Sequence, residues 1–359
     1  MVKKKNEPLT PVDEAIVEIS KKYGDGALQQ GRGTFVSVEA IPIGVANIDV
    51  ATGCLGLPRG RIVEIYGNES SGKTTLCLQA IASCQAHGGI AAFIDAEHAF
   101  DPDWAEANGV DMDKLLISQP DSGDEALNIV ETLVNLKAVD LVVIDSVAAL
   151  VPQAELDGDV GASHIGAQAR LLSQAMRKLV GKAKKSNAAI VFVNQLREKI
   201  GVQFGNPEQT PGGRALKFYS SMRIEVRRKT TLTIHKTKAY GMISGVKIVK
   251  NKVAPPFQKA DFEIHFGQPF QEPFPRKGIF KEAALVGGAM SAGVLRVSGS
   301  FYYFGDETKS LANGREKLIG MLVEEAELRD RITRAIYEVS KPDVSKDNEI
   351  DEDELGLDD

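Results

Sequence analysis

Cysteine, tryptophan and long apolar runs are what this chain of 359 residues is short of. Its three cysteines, Cys54, Cys77 and Cys84, are an odd number without C-x-x-C spacing, which argues against both a disulfide framework and a zinc site. Cys77 and Cys84 stand seven apart in a helical pattern and are expected to face the core. No apolar stretch approaches the roughly 18–20 residues of a membrane span, and the basic start MVKKKNEPLT is not followed by an apolar signal core. The expectation is a cytoplasmic chain with no membrane partner. There is one tryptophan and no internal repeat.

A surplus of positive charge is also missing. The net charge of −6 nevertheless misleads, because residues 341–359 alone hold nine acids against two lysines and leave the rest nearly neutral. That tail reads as disordered and solvating, or as a polyanion competing with nucleic acid for basic surfaces.

What is present is alternation. VDEAIVEISKKY, residues 12–23, spaces its apolar residues along one helical face, with Thr10 placed to cap it and Pro11 at its first position. A glycine-broken linker follows. From residue 60, RIVEIYG, GIAAFIDAE, KLLISQP, LVVIDSV and AAIVFVNQ are nearly continuous apolar strands separated by helical patterns. That alternation predicts an α/β core whose mostly parallel sheet is covered by helices on both faces. MRIEVRRK and SGVKIVKNKVAPPF add further strands, and the Pro- and Gly-rich GQPFQEPFPRKG suggests a boundary near 270. The expected organisation is an N-terminal helix and linker over 1–34, a core over 35–270, a small α+β domain over 271–340 and the acidic tail over 341–359.

Within VEIYGNESSGKTTLCLQAI, residues Gly67, Asn68, Glu69, Ser70, Ser71, Gly72, Lys73 and Thr74 satisfy G-x-x-x-x-G-K-[ST], with Thr75 next and with a strand before and a helix after. Glycines let the backbone wrap phosphate oxygens, and the helix N-terminus faces the same anion. Lys73 supplies charge for the β- and γ-phosphates, and the Thr74 hydroxyl a ligand for Mg²⁺. Asp145 ends the apolar run LVVID, where an acid is costly unless it has a partner such as a metal-bound water. The motif therefore predicts a nucleoside triphosphatase. Glu97, just past the strand of FIDAEHAFD, is the candidate to activate water. Asp95 is its rival, although a place inside the apolar run favours a structural role. Gln195, ending VFVNQ, is an amide that could register a γ-phosphate.

Two long glycine-containing segments follow these strand ends. LREKIGVQFGNPEQTPGGRALKF carries Arg197, Lys199 and Arg214 with apolar Ile200 and Phe204, and ELDGDVGASHIGAQARLLSQAMRK carries Arg170 and Arg177. Amides, basic residues and apolar wedges suit a single strand of nucleic acid, with a substrate lid as the competing reading.

GNESSGKTTL, FIDAEHAFDP, DSVAALVP, SQAMRKL, NQLREKIGVQFGNPEQTPGGRALKFY and VKNKVAPPF together resemble the bacterial RecA recombinases, from the N-terminal helix to about 265 and more weakly to 340. The resemblance implies a P-loop RecA-like core that uses ATP and Mg²⁺. Thr74 and Asp145 would hold the metal, Glu97 would activate water, and Gln195 would link the γ-phosphate to the second DNA loop. Trp104, beside Asp101, falls where the family places an aromatic ring on the adenine. Residues 157–165, including Ile165, match the first DNA loop, and 195–210 the second. Arg170, Arg177, Arg197 and the amides around Gly212 and Gly213 would hold a strand's backbone, with Ile200 wedged between bases. Lys250 and Lys252 match lysines that reach a neighbouring subunit's ATP. The N-terminal helix and Phe218 match the contacts of a helical filament, with single- and double-stranded DNA as further partners. Lys277 and Lys281 are candidates for duplex capture.

The implied function is a DNA-dependent ATPase that carries out homologous pairing and strand exchange in DNA repair. Repressor self-cleavage in the SOS response, and recombination mediators as partners, come with the resemblance. Gln203, Glu198, Pro211, Arg214, Ile165 and Trp104 depart from common family residues without removing a catalytic group. A ring-shaped motor, a regulatory platform and, more remotely, a small-molecule kinase are the alternatives.

Overall fold

The computed structural model describes residues 10–24, 27–28, 38–159, 164, 166–198, 208–234, 237–267 and 277–341. The described residues divide into two units, one within residues 1–38 and one within residues 39–343. In the first unit, helix α1 (Pro11–Tyr23) starts at Thr10, whose side chain accepts from the Asp13 N–H while the Asp13 carboxylate accepts from the Thr10 N–H. This reciprocal cap satisfies two otherwise orphaned donors.

In the second unit, α2 (Ala46–Thr52) precedes a large sheet. Its parallel strands are β1 (Ile62–Gly67), β2 (Ala91–Asp95), β3 (Leu116–Ser118), β4 (Leu141–Asp145) and β5 (Ala189–Gln195). They continue into β6 (Met222–Ile234), β7 (Lys238–Asn251), β8 (Lys259–Phe266) and β9 (Lys277–Ile279). The spatial order is β9-β8-β7-β6-β1-β5-β4-β2-β3. Pairs from β6 through to β3 are parallel, whereas β6–β7, β7–β8 and β8–β9 are antiparallel.

Both faces of β1, β2, β4 and β5 are covered, which is why these strands read as unbroken apolar runs. Helix α3 (Lys73–Ala86) packs one face, in a cluster that includes Val63, Ile65, Val191 and Val193. Helices α5 (Gly123–Asn135) and α6 (Ala167–Ser186) cover the other, over Ile62, Ile190 and Phe192. Between α3 and α5 in sequence lies the short α4 (Pro102–Ala107). Cys54, Cys77 and Cys84 are free and buried.

After the short α7 (Ala215–Tyr219), the helices α8 (Lys281–Ser291), α9 (Arg315–Glu324) and α10 (Ala326–Val339) build a third cluster that also takes in Ala46. The large sheet draws its last strand, β9, from beyond residue 270, and residues 268–276 lie outside the described part. Among the described residues no helix is long and apolar enough to cross a membrane.

Candidate nucleotide and nucleic-acid site

Parallel register brings the predicted residues to one edge. Gly67 pairs with Gln195 and Asp95 with Asp145, so four strand ends open on the same side, where ligands of such sheets bind. The loop between β1 and α3 cannot carry a side chain at its first position. A Cβ on Gly67 would meet the Val226 carbonyl oxygen at 1.9 Å. Lys73 is 8% exposed and its Nζ donates to the Asn68 carbonyl at 2.8 Å, tying the loop across itself. Burial lowers the Lys73 pKa, while Asp145 and Glu97 oppose that shift.

Thr74 Oγ1 donates to Asp145 Oδ2 at 2.6 Å. Burial pushes the Asp145 carboxyl up to about 6, against the Thr74 hydrogen bond, and the nearby charge of Glu97 raises it further. Glu97 Oε1 accepts from Ser146 Oγ and, at 3.1 Å, from Gln195 Nε2. The rival Asp95 is buried and otherwise engaged. It accepts from the Ala99 and Phe100 amides and from Gln119 Nε2, and so shapes the turn that presents Glu97. Asp101 caps α4 through the Trp104 N–H at 3.0 Å, and the Trp104 indole donates to Thr75 Oγ1 at 3.1 Å.

A cleft of 370 Å³ is lined by Ser70 to Thr75 on one side and by Trp104, Arg228, Met242, Ile264 and Phe266 on the other, and Thr74 links it to Asp145 at the strand edge. The residues fit a magnesium nucleotide. The glycine cradle has no room for a Cβ, a buried ammonium stands beside it, and one hydroxyl with one carboxylate is a hard oxygen donor set. Among the described residues no cluster of three or more His, Cys, Asp or Glu could hold a metal.

Sequence reasoning missed the second wall of the cleft. Arg228, Met242, Ile264 and Phe266 come from antiparallel strands whose spacing carries no nucleotide signal. Ser146 was legible in principle, as a hydroxyl directly after the strand-terminal Asp145.

The second loop is closed at its base by a two-residue ladder in which Arg197 pairs with Gln209 and Glu198 with Glu208. Gly212 and Gly213 have φ of +83° and +75°, and Cβ atoms there would meet Leu172 Cδ1 at 2.3 Å and Ala169 Cβ at 2.9 Å. The loop end therefore sits directly on α6, whose exposed Arg170 and Arg177 lie two turns apart. Ile165 and Ile200 lie outside the described residues, as do Lys199, Gln203, Phe204 and most of the first loop.

Lys250 and Lys252 are not brought to the cleft. Lys250 Nζ donates to the Lys217 and Phe218 carbonyls at 2.7 and 3.1 Å, at the end of α7. Burial, with Lys252 and Arg223 nearby, lowers its pKa to about 8. Lys277 stands 5.7 Å from the Trp104 ring centroid.

A phosphate loop opening a helix, two carboxylates and an amide at neighbouring strand ends define a P-loop α/β nucleotide-binding protein. The model of the RecA N-terminal domain matches residues 10–271. The chain is 52% identical over 329 residues to the protein RecA of Rhodococcus opacus (strain B4), covering 91% of each chain. It is 51% identical over 339 residues to that of Clostridioides difficile (strain 630), covering 93% of this chain and 94% of the relative. With that of Aquifex pyrophilus it shares 49% over 343 residues, covering 94% and 95%. The chain belongs to the RecA family.

Proposed function

We propose that the chain is a DNA-dependent ATPase and recombinase that forms a helical filament on single-stranded DNA and pairs that strand with a homologous duplex in DNA repair. The observation that carries this reading is Gln195. Its side chain touches Glu97 at the strand edge, while its strand runs directly into the loop rooted at Arg197. One residue thus belongs to both the nucleotide edge and the base of the loop.

In this reading Lys73 and the amides of the loop bind the triphosphate, and Thr74 and Asp145 hold Mg²⁺. When bound there, the metal would supply positive charge against the phosphate oxygens. Glu97, gripped through Oε1 by Ser146 and Gln195, keeps its second oxygen for orienting a water. Trp104 and Phe266 form the base end of the cleft. Arg170, Arg177, Arg197 and the Gly212–Gly213 amides take the DNA backbone, with Ile165 and Ile200 between bases.

Apolar surface supports the assembly. Phe218 is 64% exposed, edge strand β3 shows Leu116 and Ile117, and α1 shows Val12 and Val17. Head-to-tail contacts that do not close produce filaments. Lys250 and Lys252 then serve the nucleotide of the next protomer. Activation of repressor self-cleavage and loading by mediator proteins belong to the same reading.

The test is ATP hydrolysis with and without single-stranded DNA. Strong stimulation is expected in the parent chain. Lys73→Ala should abolish it, and Glu97→Gln should lower the rate by about 10²–10⁴-fold. Robust hydrolysis indifferent to DNA would defeat the proposal.

A further inference from the structure

Between the cleft and the second loop lies a buried cluster of charge that neither uses for its own chemistry. Glu64 on β1 and Asn194 on β5 are fully buried, and Arg223 at the start of β6 is 8% exposed. Strand register sets Glu64 between Phe192 and Arg223, and Asn194 beside Tyr66 two positions further along. Arg223 Nε donates to Glu64 Oε2 at 2.5 Å, and its guanidinium lies 4.4 Å from the centroid of the Tyr66 ring. Asn194 Nδ2 donates to Glu64 Oε1 at 3.0 Å and to the Pro211 carbonyl at 3.2 Å. Its Oδ1 accepts the Gln195 backbone N–H at 2.9 Å. Both donor hydrogens and one acceptor position of the amide are thereby committed.

A buried ion pair is weak evidence for stability, since well-packed apolar groups often serve a sheet interior as well or better. What this one does is hold an amide in a single orientation, and the groups that amide joins are informative. On one side is the backbone of Gln195, whose side chain touches Glu97. On the other is Pro211, directly before the Gly212–Gly213 turn that sits on α6. One side chain therefore joins the backbone of Gln195 to the carbonyl that precedes the turn at the loop end.

We propose that Asn194, oriented by the Glu64–Arg223 pair, is the positioning residue that makes the nucleotide cleft and the second loop respond as one unit. A shift of Gln195 moves the amide, and the Pro211 carbonyl follows. The proposal rests on the DNA-dependent ATPase reading above.

The experiment uses the full chain. Asn194→Asp keeps the volume and leaves at most one donor, the O–H of its protonated form, so that it cannot serve both acceptors. Asn194→Ser is the second variant, neutral and too short to span both acceptors, should a carboxylate beside Glu64 prevent folding. Three quantities are measured: binding of a labelled single-stranded oligonucleotide with and without magnesium and a non-hydrolysable ATP analogue, binding of the analogue alone, and the thermal midpoint. In the parent chain the analogue should tighten DNA binding by a factor within about 5–150. A folded variant should bind the analogue within about threefold of the parent, yet retain less than about threefold of that coupling. Full coupling in a folded variant overturns the proposal. So does a parallel loss of analogue binding, or unfolding of both variants, because either marks a merely structural role. If the parent chain itself shows no coupling, the ATPase reading fails first and the proposal falls with it.

Discussion

The chain buries several carboxylates, and two of them, in different regions, are treated differently. At the edge of the parallel strands, Asp145 accepts a single side-chain hydrogen bond, from Thr74. At the seam between α2 and α10, Asp49 is fully buried and accepts from the Ile43 and Gly44 amides and from the Tyr337 hydroxyl. Burial raises both above the ordinary carboxylate value, to about 6 and about 7 respectively. One is left with capacity for a further ligand, and the other is saturated by the fold. Burial of a carboxylate therefore does not by itself define its purpose; the number of donors aimed at it separates a binding group from a clamp.

The sharpest way to break this comparison is Asp145→Ala. It should reduce DNA-stimulated ATP hydrolysis by about 10²–10³-fold while leaving the urea midpoint at pH 8 no lower than that of the parent. A large loss of stability would mean that Asp145 is a clamp as well. The converse is Tyr337→Phe, which removes a donor from Asp49 and should cost about 1–3 kcal/mol at pH 8 by urea unfolding, with hydrolysis per folded molecule unchanged.

The pH dependence of that cost has a definite sign. Asp49 moves from 3.8 unfolded to about 7 folded, chiefly by burial. Its contribution to stability is therefore fully present below 3.8 and lost as pH rises through 7. The Tyr337 hydroxyl supports the anion, so the deficit of the Phe variant should be greatest above pH 7 and shrink as pH falls through it. A deficit independent of pH would remove Asp49 as its cause. The smallest expected effect sharpens the picture of the cleft. Phe266→Ala should raise KM for ATP by about three- to tenfold with kcat within about twofold, since it removes binding made equally before and during the reaction.

How much of this was legible follows from the range over which each signal acts. The phosphate loop, its flanking strand and helix, and the acid ending LVVID are local patterns, visible because strand, turn and helix impose fixed spacings. Glu97 and Gln195 were found because parallel strands all end at one edge. Phe266 and Met242 were not, because alternation along β7 and β8 looks the same whether a face meets a nucleotide or a helix. Asn194 sat unnoticed beside Gln195, since its partners lie 130 residues before it and 17 after it. The hold of Lys250 on the carbonyls of α7 was also invisible, because a lysine at a strand end shows no partner in sequence.

Trp104 has a consequence for how this molecule can be watched. It is the only indole among 359 residues, it borders the cleft, and a hydrogen bond to Thr75 fixes its ring. Its emission, excited at the red edge of the indole band beyond nucleic-acid absorption, comes from a single address. Filling and emptying of the cleft can therefore be followed in real time, without a label and in the presence of DNA.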